Sequence, residues 1–186
     1  MTSWELPTSL NIGGVGYAIR TDYRHILRIL SIFQRPDMED DEKGLCCLII
    51  LFPEFERIPQ EHMGEALEKA REFIDAGIKN SDKPKPSTMD WNHDAPILIP
   101  AINRVLGREV RAMEYLHWWT FLGAYMEIGK SLFSSVVAIR KKQMDGEKLD
   151  DEEKKFVREN KSLVYLPRQG RSDEEKAALR ALIGKG

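Results

Sequence analysis

The chain has 186 residues and a mass of 21.4 kDa, a size that favours a single hydrophobic core. Its composition is 42% hydrophobic and 31% charged, which excludes a collagen-like, disulfide-scaffold or wholly disordered chain. The chain has 28 Lys and Arg against 30 Asp and Glu, so its formal net charge of -2 disfavours nucleic acid as the main partner. No apolar run is long enough to cross a membrane, and the first residues do not resemble a secretory signal, so we expect a cytoplasmic protein that contacts no membrane.

Two short apolar segments near the start of the chain flank a connection rich in glycine. Residues 10–12 and 17–20 surround Gly13, Gly14 and Gly16. A phosphate-binding loop is the alternative interpretation of these glycines, but no Gly-Lys-Ser/Thr follows them and the next residues have a strand pattern. The sequence therefore predicts a small β-hairpin over residues 9–20.

Three helices are predicted after the hairpin. The first begins at Asp22, whose side chain suits a helix cap, and ends before Pro36. Residues 45–52 follow an acidic cluster and fit either a helix or a buried strand by pattern alone; we predict a helix. Residues 59–76 have clear amphipathic spacing, and Gly77 stands where a left-handed cap belongs.

The middle of the chain consists of one polar segment followed by two predicted helices. Residues 79–94 are rich in Asn, Ser, Asp, Lys and Pro, which predicts a long surface loop. A helix then begins at Asp94 and ends at Gly107, with Pro100 inside its pattern. Residues 111–128 form the segment richest in aromatic residues, and we predict that this helix is the centre of the core.

Two apolar stripes lie side by side on the predicted 111–128 helix. The first consists of Tyr115, Trp119, Leu122 and Met126, and the second of Trp118, Phe121 and Tyr125. Core packing is the preferred role of Trp119. For the second stripe, core packing and contact with a partner both stay open, because Trp and Tyr are enriched at protein interfaces. Trp118, Phe121 and Tyr125 are therefore the predicted partner-binding residues.

The last third of the chain is strongly charged. Residues 130–143 predict a helix whose end, with Arg140, Lys141 and Lys142, is solvated. Residues 150–162 predict a surface helix, and a short helix follows in the tail, residues 167–186. The predicted fold is thus mainly α, with one helical domain over residues 1–166, an N-terminal β-hairpin and a loosely attached C-terminal helix that docks on this chain, docks on another, or frays.

Few residues suggest chemistry. His117 is a candidate general base, although its place on the polar arc favours a surface or cap-like role. Asp90, His93 and Asp94 combine metal-ligand types, but aspartates at loop ends usually form turns and caps. The adjacent cysteines lie in an apolar run without a neighbouring cation, which is typical of unreactive thiols. The sequence predicts no enzyme, no cofactor and no metal site.

The segment Leu-His-Trp-Trp at residues 116–119 carries a family resemblance. Supporting segments lie at residues 19–24, 40–43, 51–53, 89–94 and 137–140, and in the helix over residues 152–163. With these motifs the chain resembles the bacteriophage gene-product-fifteen family, small proteins encoded in the tail region of phages and prophages of Gram-positive bacteria. The resemblance covers nearly the whole chain.

The resemblance implies a role in building a long non-contractile tail inside the host cytoplasm. The leading hypothesis is a tail assembly chaperone that binds the tape-measure protein, with other tail proteins as further partners and with self-association in arrays. The first alternative is a structural component of the finished tail. The second is a small enzyme that uses His117 or the cluster of Asp90, His93 and Asp94.

Overall fold

The computed structural model describes residues 4–76 and 88–167 of the chain. Over these residues the strands are β1 (Ser9–Ile12) and β2 (Val15–Ala18). The α-helices over the same residues are α1 (Tyr23–Phe33), α2 (Asp40–Leu51), α3 (Met63–Ile74), α4 (Ala95–Leu106), α5 (Trp118–Met126), α6 (Leu132–Met144), α7 (Asp151–Glu159) and α8 (Lys161–Val164). The predicted mainly α fold with an N-terminal β-hairpin is confirmed. The short helix predicted in the tail lies outside the described residues.

The hairpin turns at two glycines. Gly13 has φ +57° and Gly14 has φ +82°, a pair of positive values that a two-residue turn of the I′ type requires. The strands are antiparallel, with Ile12 opposite Val15. Leu10 and Ile12 alternate toward the core, so the hairpin closes one side of the helical body.

Capping interactions mark the starts of α1 and α2. The Asp22 side chain accepts from the backbone N–H of Arg24 at the start of α1. Glu39 and Glu42 form a capping box at the start of α2, which confirms the helix prediction for that segment. Helix α1 packs against α2, α2 packs against α3, and α3 packs against β1.

The third helix is shorter than predicted. A 3-10 turn, Gln60–His62, precedes α3, so the α-helix begins at Met63 rather than near residue 59. Gly77 and residues 79–87 of the predicted loop lie outside the described residues. Helix α4 begins after Asp94 and ends at Gly107, whose φ of +68° is the left-handed cap expected there.

The prediction of one helix over residues 111–128 is wrong in its first seven residues. Helix α5 begins only at Trp118, because the backbone before it pairs with residues 21–23 instead. The N–H of Tyr23 donates to the Leu116 carbonyl at 3.0 Å, and the N–H of Trp118 donates to the Thr21 carbonyl at 2.7 Å. The Asp22 carboxylate also accepts from the N–H of Leu116 at 3.1 Å. These contacts between distant segments replace the helical hydrogen bonds that the local pattern favours.

The prediction that Arg140 belongs to a solvated helix end is also wrong. Arg140 lies on α6 with a side-chain exposure of 6%, and its guanidinium pairs with the Asp94 carboxylate through bonds of 2.7 and 2.8 Å. It donates further to the carbonyls of Thr88, Leu163 and Val164. All five N–H groups of the guanidinium are therefore used, and they connect α4, α6, α8 and the segment before α4.

Removing the Asp94 carboxylate should destabilise the fold strongly. Asp94→Ala leaves the Arg140 charge buried and unpaired, so we expect a loss of about 3–5 kcal/mol in the free energy of unfolding. Urea denaturation followed by circular dichroism measures the loss. The matched control is Glu54→Ala, which breaks the exposed Glu54–Arg57 ion pair and should leave the midpoint unchanged. Similar midpoints for the two variants would contradict the role assigned to the buried pair.

Candidate functional site

The structure places two of the three predicted partner-binding residues inside the core. Trp118 is 1% exposed and Phe121 is 3% exposed. The Trp118 indole donates to the Ile74 carbonyl at 2.8 Å, and the Phe121 ring stacks on Tyr23 with ring centres 4.7 Å apart. Tyr125 is half-buried, and its ring contacts that of Trp91. Trp118 and Phe121 therefore belong to the core, and the Phe121 side chain also lines the concave surface described below; contact of these residues with a partner stays a prediction.

The first stripe is more exposed than the sequence predicts. Tyr115 and Met126 are 53% and 55% exposed, and Trp119 is half-buried with its indole donating to the Phe73 carbonyl. For Tyr115 the reason is the late start of α5. A helical wheel that runs from residue 111 assigns the wrong face to Tyr115, because the backbone at that residue is not helical.

His117 is a buried helix cap. Its Nδ1 accepts from the N–H of Trp119 at 3.0 Å, and its Nε2 lies 3.0 Å from the Pro7 carbonyl oxygen. Because a carbonyl only accepts, Nε2 carries the proton and Nδ1 the lone pair. The predicted cap-like role is confirmed, and the predicted surface position is wrong. Both ring nitrogens are occupied by backbone contacts, which leaves no lone pair facing a cavity.

Asp90, His93 and Asp94 are adjacent in the fold, and the two carboxylates serve the backbone and the buried ion pair, whereas His93 Nε2 is buried with no hydrogen-bond partner among the described residues. Asp90 Oδ1 accepts from the N–H groups of Asn92 and His93 at 2.8 and 2.7 Å, which closes a turn before α4. Asp94 faces Arg140 with both oxygens. In the described part of the chain, no three His, Cys, Asp or Glu side chains converge on a point that could hold a metal ion.

The two cysteines are free thiols in the core region of α2. Cys47 is 1% exposed, and burial raises the pKa of its thiol to about 12. The thiol is therefore protonated at neutral pH, and a protonated thiol is a poor nucleophile. This matches the unreactive role predicted for Cys47.

A concave surface with a volume of about 470 Å³ lies between α1 and α4. Its floor is apolar and includes Leu27 from α1 and Ala95, Leu98 and Ile99 from α4. We call this surface the α1–α4 cleft. Three basic residues line the cleft, Arg24, Arg28 and Arg111. None of the described residues that line it is acidic.

The three arginines differ in how far neighbouring acids neutralise them. Arg24 pairs with Asp22 at 2.9 Å and donates to the Met113 carbonyl. Arg111 pairs with Glu109 at 2.8 Å, and its hydrogen bonds lower the pKa of the Glu109 carboxyl to about 2. Arg28 is exposed, and within residues 4–76 and 88–167 it has no ion-pair partner. Arg28 is thus a cation at the cleft edge that no described acid balances.

Sequence reasoning did not find this cleft. The signal in the sequence is Arg24 and Arg28 one helical turn apart, with Leu27 between them on α1. That spacing marks one face of a helix, but the other wall comes from α4, and only the fold places α4 there.

Comparison with known protein families matches the model of the Bacteriophage Gp15 protein to residues 3–166, most of the chain. The chain belongs to this family. The resemblance carried by residues 116–119 is thereby confirmed. No curated protein and no solved structure matches the chain.

In this family member, the distinctive Leu-His-Trp-Trp segment has an architectural role. His117 caps α5, Leu116 pairs with the start of α1, and both indoles donate to carbonyls at the end of α3. The segment therefore joins three helices. Among the described residues, no helix combines the length and the apolar character needed to cross a bilayer.

The different burial of Trp118 and Trp119 predicts how much the free energy of unfolding falls when each is replaced by alanine. Trp118→Ala should destabilise the protein by about 3–5 kcal/mol, because it deletes a fully buried aromatic side chain. Trp119→Ala should cost less, since that side chain is half-exposed. The free energies of unfolding from urea titrations measure both, with the exposed Met126→Ala on the same helix as the control. A larger loss for Trp119→Ala would contradict the assignment of Trp118 to the core.

Proposed function

We propose that this protein is a phage tail morphogenesis factor, a tail assembly chaperone that binds the tape-measure protein. The observation that carries the proposal is its membership of a bacteriophage protein family over residues 3–166. A tape-measure protein is long and helical, and its apolar surface needs cover before tail-tube subunits polymerise around it. A small helical protein with an open apolar cleft suits that task.

The α1–α4 cleft supports the proposal by its shape and chemistry. An amphipathic helix binds a partner by laying its apolar face in a groove, with anchors about one helical turn apart. The floor formed by Leu27, Ala95, Leu98 and Ile99 offers such a groove between two helices. One cleft buries little area, so each copy should bind weakly, and an array of copies along one tape measure should bind tightly.

The contacts of the residues that a small enzyme would use, His117 and Asp94 among them, favour structural roles for these side chains. His117 uses both ring nitrogens in backbone contacts, and the Asp94 carboxylate belongs to a buried ion pair. No observation favours the structural tail component over the chaperone, so a direct experiment separates those two.

A substitution on the cleft floor should weaken binding to the tape-measure protein. Leu27→Gln replaces an apolar anchor with a polar amide, and we expect affinity for a co-expressed tape-measure fragment to fall about tenfold. Pull-down followed by titration calorimetry measures the change. The control is Val105→Gln, an exposed position of α4 outside the cleft, which should bind as the wild type does. Equal affinities for the two variants, with unchanged melting, would remove the cleft from the binding surface.

Protein analysis of purified phage particles should find the tape-measure protein but not this chain. A chaperone leaves when the tube polymerises, whereas a structural component stays in stoichiometric amounts. Mass spectrometry of particles and of the infected-cell lysate makes the measurement, and detection in the lysate is the control. Stoichiometric presence in particles would replace the chaperone proposal with the structural one.

A further inference from the structure

We infer that the α1–α4 cleft selects a helix whose apolar face is flanked by carboxylates, and that Arg28 is the residue that makes this selection. The inference rests on the proposed function, because it names the surface of the tape-measure protein that this chain recognises. Beyond that function, it predicts that the recognised surface of the tape-measure protein is acidic.

The charged side chains that line the cleft are all basic. Three arginines and no acid are found among the described residues that line it, although the whole chain has a formal net charge of -2. A local positive edge on a protein of slightly negative net charge gives specificity toward acids without a long-range attraction to polyanions.

Arg28 differs from the other two arginines of the cleft in its ion pairing. Arg24 and Arg111 are held by Asp22 and Glu109, so part of their charge is already compensated inside the chain. Arg28 lies one helical turn beyond Arg24 on α1, exposed, with no partner in the described part of the chain. A carboxylate on a bound helix would pair with Arg28 without breaking a bond to any residue that the structure describes.

The apolar floor and the basic edge of the cleft lie next to each other. The floor residue Leu27 is adjacent to Arg28 in sequence, and both line the cleft. A helix seated on the floor would place the residues beside its apolar seam at the cleft edge, because positions next to the seam lie at the rim of a helical interface. Glu or Asp at those positions would meet Arg28. A basic residue there would be repelled.

Two designed helical peptides test the selection against the intact protein. Both are about three heptads long with the same apolar seam, and one has Glu and the other Lys at the flanking positions. We expect the wild type to bind the Glu peptide at least about tenfold more tightly than the Lys peptide, with the preference shrinking at high salt. Fluorescence anisotropy of labelled peptides measures both affinities.

Matched variants assign the selection to Arg28. Arg28→Glu should lower affinity for the Glu peptide about fivefold and raise affinity for the Lys peptide. The control, Arg158→Glu, makes the same charge change on α7 away from the cleft and should leave both affinities unchanged. Equal binding of the two peptides, or equal behaviour of the two variants, would overturn the inference. Displacement of the Glu peptide by duplex DNA at lower concentration would also overturn it, because the edge would then be a phosphate-binding surface.

A parallel pull-down of the tape-measure protein keeps the two proposals distinguishable. If wild type and Arg28→Glu retain it equally at low and high salt, the charge selection fails and the proposed function stands. If the wild type does not retain it while the peptide preference holds, the proposed function fails and the cleft chemistry stands.

Discussion

The buried pair of Arg140 and Asp94 is the interaction on which the second half of the molecule depends. Moving two charges out of water costs several kcal/mol, and the cost is offset only when every donor and acceptor finds a partner. Here the guanidinium donates to Asp94 and to carbonyls from the segment before α4 and from α8. Because Asp94 also accepts from the N–H of Asp90, the same pair sets the turn that starts α4. One wall of the α1–α4 cleft is thus held by an ion pair outside it.

A second constraint acts at the other end of the cleft. The backbone of residues 21–23 pairs with that of residues 116–118, and His117 then ties the start of α5 to Pro7 beside the hairpin. This pairing delays α5 and turns Trp118 and Phe121 inward onto Tyr23 and the end of α3. Trp118 and Phe121, from the segment richest in aromatic residues, are thus buried in the core. The lining of the α1–α4 cleft combines aliphatic side chains with the aromatic Tyr23, Trp91 and Phe121, and its charged residues are arginines.

These two constraints explain how a helical body of this size can offer a preformed groove. Helices α1 and α4 are each fixed by contacts away from the cleft, α1 through α2 and the 116–118 segment, and α4 through α5 and α6. A groove between two anchored helices need not reorganise when it binds, so little binding energy is lost in ordering it. That property fits the proposed chaperone role, in which each single contact would be weak and many copies would act together.

Most of the helices and the hairpin could be predicted from sequence, because the information is local. Gly13 and Gly14 specify a turn, Asp22 marks the start of α1, and Gly107 marks the end of α4, each through the geometry of its own backbone or the residues next to it. The late start of α5, the burial of Arg140 and the α1–α4 cleft could not be predicted, since each depends on residues far apart in the chain. Trp118 faces inward because its backbone N–H donates a hydrogen bond to the Thr21 carbonyl. Arg140 is buried because its guanidinium pairs with the Asp94 carboxylate. The pattern of a helix shows which faces are apolar, but which face meets which neighbour was decided only when the elements packed.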